Sequence, residues 1–304
     1  MSSLTVLTNP RARTLSAVLA ATDWPEREQR PLPRGVHPQA AALKKHVADF
    51  KSHPAVAYVQ AAVNADADLR PLFARAVTDE AELAAHLNSF AVEAGLEAYW
   101  AATDSAWVEA VSEVQAHVNG IDFATVLNEA FGAAPAELVI LPNLAYPTTH
   151  SLGFGTTNRV YSLMPPRKAV GESPPWPFRD DRDYILRLAV HDFTQCLLGD
   201  LLAKNPSLLP ESPVSEQLPA DFRAEHPTWP RQAAELFAYG MMTIFLNRLD
   251  DGAGDSFALF ERRTRKLTVL PAAITAVSNY LDGRAKSQYA SLADYLPQFV
   301  AALT

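Results

Sequence analysis

From Ile185 to Leu198 the chain is apolar on nearly every side of a helical turn, and a helix of that kind must be buried. Ile185-Leu186-Arg187-Leu188-Ala189-Val190 leads into His191-Asp192-Phe193-Thr194-Gln195, and Cys196-Leu197-Leu198 follows. An imidazole, a carboxylate, a hydroxyl and an amide therefore sit at the centre of a helix that belongs inside the protein. Buried polar groups must find partners, so these side chains form either a hydrogen-bonded network or a site. His191 and Gln195, one turn apart, share a face. The helix is expected over about 182–204, before Asn205-Pro206.

A chain of 304 residues has room for about two domains or one large one, and needs no covalent staple to hold a core. Its one cysteine excludes an internal disulfide, a CxxC redox pair and a Cys-rich zinc module. A net charge of −8 argues against a general binder of nucleic acid or anionic membrane. No apolar stretch has the length of a membrane span. Arg11 and Arg13 precede a short apolar run, Leu15 to Ala21, which reads as a first amphipathic helix rather than a secretion signal. A cytoplasmic location is the expectation, with secretion as the alternative.

The 23 prolines punctuate the chain unevenly. Residues 39–132 read as helix after helix, with boundaries at His53-Pro54 and Arg70-Pro71, a helix cap at Thr78 and a turn at Asn119-Gly120. Leu138-Val139-Ile140-Leu141 and Arg159-Val160-Tyr161-Ser162-Leu163 look like strands, joined by a polar segment from Tyr146 to Asn158. A helix starting at Thr228, with Pro230 in its first turn, is expected to run to about Leu249. The last quarter reads as helical, punctuated by Pro271, Asp282-Gly283 and Pro297. Three regions result: helical 1–132, a core 133–250 and helical 251–304, forming one compact unit.

Several signatures are absent. There is no phosphate-binding GxxxxGK[ST] loop and no GxSxG elbow, and Gly153-Phe154-Gly155 lacks the third glycine of a dinucleotide fingerprint. The cluster Arg262, Arg263, Arg265, Lys266 reads as a solvated helix face.

His191-Asp192-Phe193-Thr194-Gln195 has the spacing of H-E-x-x-H. In that motif two histidines one turn apart bind zinc and the glutamate activates its water. Glu235, in Ala233-Ala234-Glu235-Leu236-Phe237, lies where gluzincins place a third ligand. The chain resembles an uncharacterised family of bacterial gluzincin-like metallopeptidases whose helix reads H-E-F-x-H. The resemblance also rests on Phe50-Lys51-Ser52-His53-Pro54-Ala55-Val56, on Leu270 to Leu281, and on Tyr289 with Ala293-Asp294-Tyr295-Leu296-Pro297. It covers roughly residues 10–304. It implies a mostly helical α+β, zincin-like fold, with a small antiparallel sheet packed on the motif helix.

The chain departs from that pattern at its centre. Asp192 replaces the glutamate with a shorter carboxylate, and Gln195 replaces the second histidine with a poor zinc ligand. The reading this favours is a metallopeptidase-like protein that has lost zinc peptidase chemistry and acts by binding. Its partner would be a peptide or protein in a cleft between the His191 and Glu235 helices. A second reading is a zinc-dependent hydrolase with His191, Gln195 and Glu235 as ligands, and His150 or His226 as a replacement. There Asp192 would be the general base and Tyr239 an oxyanion support. A third is a helical protein whose motif side chains only satisfy one another. No cofactor, or zinc in a weak site, follows from the first two.

Overall fold

The computed structural model describes residues 3–30, 34–133, 135, 137–211, 214–250 and 252–304. Among the described residues helix dominates, with one small four-stranded sheet. The chain divides into two compact units that interleave in sequence.

One unit holds Leu4–Asn119 and Val139–Ile185. Strand β1 (Ser3–Val6) leads into α1 (Pro10–Ala21), which is capped by Asn9 Oδ1 accepting from the amides of Arg11 and Ala12. The helices α2 (Trp24–Glu28), α3 (Pro38–His46), α4 (Pro54–Ala65), α5 (Arg70–Val77), α6 (Ala81–Glu93) and α7 (Leu96–Val118) follow. Leu15, Val18 and Leu19 of α1 are fully buried, and α1 packs against α3 through α6. The Arg13 guanidinium lies 4.4 Å from the ring centroids of both Trp100 and Trp107, so its charge is held on aromatic faces.

The sheet has the order β1-β2-β4-β3, with β2 (Glu137–Pro142), β3 (Leu152–Gly155) and β4 (Arg159–Met164). β3 pairs antiparallel with β4 in the register Phe154↔Tyr161, and those rings stack 5.1 Å apart. The sheet as a whole is mixed rather than antiparallel. Two of its strands go beyond the pair expected. Ser3–Val6 is too short to carry a periodic signal, and Leu152-Gly153-Phe154-Gly155 reads as a turn because of its glycines. Between β2 and β3 the chain passes a cis Tyr146–Pro147 bond. There the buried Glu28 carboxylate accepts from the amides of Thr148 and Thr149, at 2.7 and 2.9 Å, and from both hydroxyls.

The other unit holds Gly120–Leu138 and Leu186–Thr304 with Ser3. It contains α8 (Phe123–Phe131), nearly all of α9 (Arg182–Lys204), the short α10 (Val214–Gln217) and α11 (Ala220–Glu225), and α12 (Trp229–Leu249). α13 (Ala253–Thr264), α14 (Leu270–Ala285) and α15 (Leu292–Ala302) complete it. Phe123, Phe193, Phe237, Tyr280 and Phe299 are sealed in its core, each contributing about 1.5–3 kcal/mol by burial. Close approach of the helices depends on two glycines. A Cβ at Gly240 would lie 2.7 Å from Val277 on α14, and one at Gly254 would lie 2.1 Å from the Thr243 carbonyl on α12.

Three boundaries differ from expectation. Glu80, not Thr78, caps α6, its carboxylate accepting from the amides of Glu82 and Leu83; the Thr78 hydroxyl instead donates back to Ala74 at the end of α5. α14 runs through Asp282-Gly283 to Ala285, because Gly283 lies against the Tyr289 ring and tertiary packing outweighs its low propensity. Pro297 lies inside α15, whose buried face of Leu292, Tyr295, Leu296, Phe299 and Val300 holds the helix together across it.

Candidate functional site

The α9 and α12 expected from sequence, 182–204 and 228–249, are both present. Asp192, Phe193 and Thr194 are fully buried, as an all-round apolar helix requires. Cys196 is buried too, on the side of α9 away from His191.

His191 and Gln195 meet Glu235 of α12. The His191 Nε2 atom is 2.9 Å from Glu235 Oε1, and its Nδ1 is 3.0 Å from Asp192 Oδ1. Gln195 Nε2 donates to Glu235 Oε2 at 2.6 Å. The His191 side chain is 14% exposed and that of Glu235 is 4% exposed. Two carboxylates on opposite ring nitrogens both demand an N–H, so the imidazole is held as the doubly protonated cation. Burial alone would push the His191 pKa down; Glu235 and Asp192 outweigh it and raise it to about 10. Burial would raise Glu235, but His191 above all holds it down at about 2.

A second ring of charge surrounds this pair within the same unit. His226 Nε2 is 4.0 Å from Glu235 Oε1, and burial keeps its pKa below the ordinary value, so it is neutral near pH 7. Gln232, itself buried, positions it by donating to the His226 carbonyl at 2.8 Å, and accepts from Ser215 Oγ at 2.6 Å. The Tyr239 hydroxyl accepts from Arg265 Nη1 at 3.2 Å. Burial, then the nearby carboxylates of Glu235 and Glu261, raise the Tyr239 pKa well above 10. Arg265 also pairs with Glu225 and stands 3.7 Å from the buried Glu261, whose carboxyl is raised by burial.

The structure therefore brings His191, Asp192, Gln195, Glu235, Tyr239 and His226 together. It places His150 in the other unit, where Nδ1 lies 3.9 Å from Glu28 and the ring edges on Trp24. Asp192 is turned to the Nδ1 side of His191, where it orients the ring. Arg265 was missed by the sequence reading that put it on a solvated face. It continues the buried stripe of Gly254, Phe257 and Glu261, and that period was the available signal.

Zinc needs a neutral imidazole nitrogen and carboxylate lone pairs open to one point. Here the His191 nitrogens are both occupied by carboxylates, and Gln195 offers Glu235 a donor instead of a ligand oxygen. The residues present do not fit the metal in this arrangement. Among the described residues, no group of three or more His, Cys, Asp or Glu side chains is arranged to hold an ion. Compared with family models, with curated proteins and with solved structures, the chain matches none.

Proposed function

We propose that this is a metallopeptidase-like protein in which a proton on His191 has taken over the charge role of a metal, and which acts by binding rather than by hydrolysis. The observation that carries the reading is the double engagement of His191, 2.9 Å from Glu235 and 3.0 Å from Asp192. An imidazolium between two carboxylates supplies the positive charge that Glu235 needs in a buried place, and needs no cation from solution. Gln195 supports it: an amide that donates to Glu235 fits a protonated cluster and not a zinc site. The H-E-x-x-H spacing and the resemblance to gluzincin-like proteins supply the ancestry in this reading. A zincin-like fold and a peptide or protein partner follow from that resemblance.

The competing reading is a hydrolase with a rearranged ligand set. His226, 4.0 Å from Glu235, is the observation in its favour, since a rotation would bring it beside His191 and Glu235. Elemental analysis of the purified chain after incubation with zinc, together with a casein-hydrolysis assay, decides between them. Sub-stoichiometric zinc and no hydrolysis fit the binding reading. Stoichiometric zinc, with hydrolysis abolished by His191→Ala and by Glu235→Gln, overturns it.

A further inference from the structure

The side chain of Arg13, on α1, is only 11% exposed, deeper than Arg70 at 27% or Arg265 at 28%. Those two arginines are matched by hydrogen bonds. Arg70 donates from Nε and Nη2 to Asp68, and Arg265 donates to Tyr239 and Glu225. Arg13 is not. Its Nε and Nη2 are buried without a hydrogen-bond partner, and its Nη1 stops 3.9 Å from Asp104 Oδ1. The Trp100 and Trp107 faces attract its charge but do not replace hydrogen-bond acceptors for its five N–H groups. Burial lowers the Arg13 pKa by more than Asp104 and Tyr99 raise it, as expected of a charge that lacks compensation.

The groups beside it are unmatched as well. Trp100, Asp104 and Trp107 share one face of α7 at i, i+4 and i+7, and Tyr99 adjoins them. The indole N–H groups of Trp100 and Trp107 and the Tyr99 hydroxyl are all buried without a partner. Edge-to-face contacts hold the rings together, at 5.1 Å between Tyr99 and Trp100 and 5.9 Å between Trp100 and Trp107. Trp24 and Gln29 also bury an unmatched donor, but on neutral side chains. Around Arg13 five such groups gather on one positive charge, and buried polar groups in that number call for an acceptor.

We infer that Arg13, with Tyr99, Trp100 and Trp107, forms a binding site for the carboxylate of a small aromatic or apolar organic acid. A carboxylate carries the single negative charge that one guanidinium needs and takes two parallel N–H bonds from it. The flanking rings suit the apolar body of such a molecule. The exposed Asp104, just beyond hydrogen-bond reach of Nη1, marks the side from which a carboxylate approaches. Tyr99 and Trp100 are half-buried and form the rim, so entry moves side chains rather than backbone. A phosphate dianion is the poorer fit, because a lone guanidinium beside Asp104 leaves its second charge unpaired. Every residue of the site lies in the unit of Leu4–Asn119, and the inference does not depend on the reading of His191.

The test follows the tryptophan indole N–H signals of the 15N-labelled full chain while benzoate is added, with Trp100→Phe and Trp107→Phe assigning the two that matter. Saturable shifts of those two signals are expected, with Trp24, Trp176 and Trp229 unmoved. Arg13→Gln should weaken binding at least about tenfold, with circular dichroism unchanged. Should that variant fail to fold, Arg13→Lys carries the test, since it keeps the charge, loses the fork and should weaken binding likewise. Asp104→Asn should tighten binding about threefold or more, because it removes a competing unit charge near the guanidinium. No saturable shift, or shifts that the Arg13 variants leave intact, overturns the inference. Inorganic phosphate that moves the signals where benzoate does not also overturns it. So does an Asp104→Asn variant that loses as much stability as Arg13→Gln and binds no benzoate, which would make Asp104 the true partner of Arg13.

Discussion

Nε2 of His191 lies 2.9 Å from Oε1 of Glu235, joining the centres of two long buried helices through one charged hydrogen bond. Removing either partner leaves the other as a buried, uncompensated charge. His191→Leu should cost about 3–5 kcal/mol in urea denaturation. The double variant His191→Leu/Glu235→Leu should recover much of that loss, since apolar replacement of both partners is close to neutral. A double variant as unstable as the sum of the singles would show that the two do not act as a pair.

The same pair sets a pH dependence. His191 is raised from 6.5 to about 10, so its contribution is complete below pH 6.5 and is lost as pH rises through about 10. Glu235 is lowered from 4.5 to about 2, so its contribution is complete above pH 4.5 and is lost as pH falls through about 2. The stability gap between wild type and the double variant should therefore be widest from pH 4.5 to 6.5. It should narrow toward alkaline pH first, within the range where the fold survives. Denaturation series at matched pH values would show a flat gap if the pair were neutral.

Glu28 anchors a loop in the other unit through two backbone amides and two hydroxyls. Glu28→Ala strands buried donors and should cost about 3 kcal/mol. Amide exchange at Thr148 and Thr149 should accelerate together. Unchanged exchange there would mean that the loop is held by other contacts.

Gly254→Ala drives a Cβ to 2.1 Å from the Thr243 carbonyl, a backbone atom that cannot step aside. It should cost about 2–3 kcal/mol. Gly240→Ala meets the side chain of Val277 at 2.7 Å, which can turn, and should cost less. Thermal melts of the two variants give the order, and the reverse order would count against this account of how α12 seats α13 and α14.

Much of this arrangement was legible in the residues. The all-round apolar run marked α9 and Asn205-Pro206 its end, and Thr228 with Pro230 marked the start of α12. One-turn spacing and a metal-site analogy singled out His191, Gln195 and Glu235 as ligands of an ion; their direct hydrogen bonds to one another are what the residues alone did not announce. What escaped was set by distant partners. β1 and β3 exist through sheet pairing that four-residue segments do not announce. Helix α14 continues past Asp282-Gly283 because of Tyr289. Arg265 turns inward because Glu225 and Tyr239 await it, although its neighbours Arg262, Arg263 and Lys266 do face solvent.

The protonation state of His191 tests the central claim most directly. Side-chain 15N–1H correlation spectra of the native chain at about pH 8, above the ordinary histidine range, read both ring nitrogens. The account predicts that Nδ1 and Nε2 both carry protons there, and that adding zinc or a chelator leaves the signals in place. A neutral His191 whose Nε2 resonance shifts on zinc addition would contradict it.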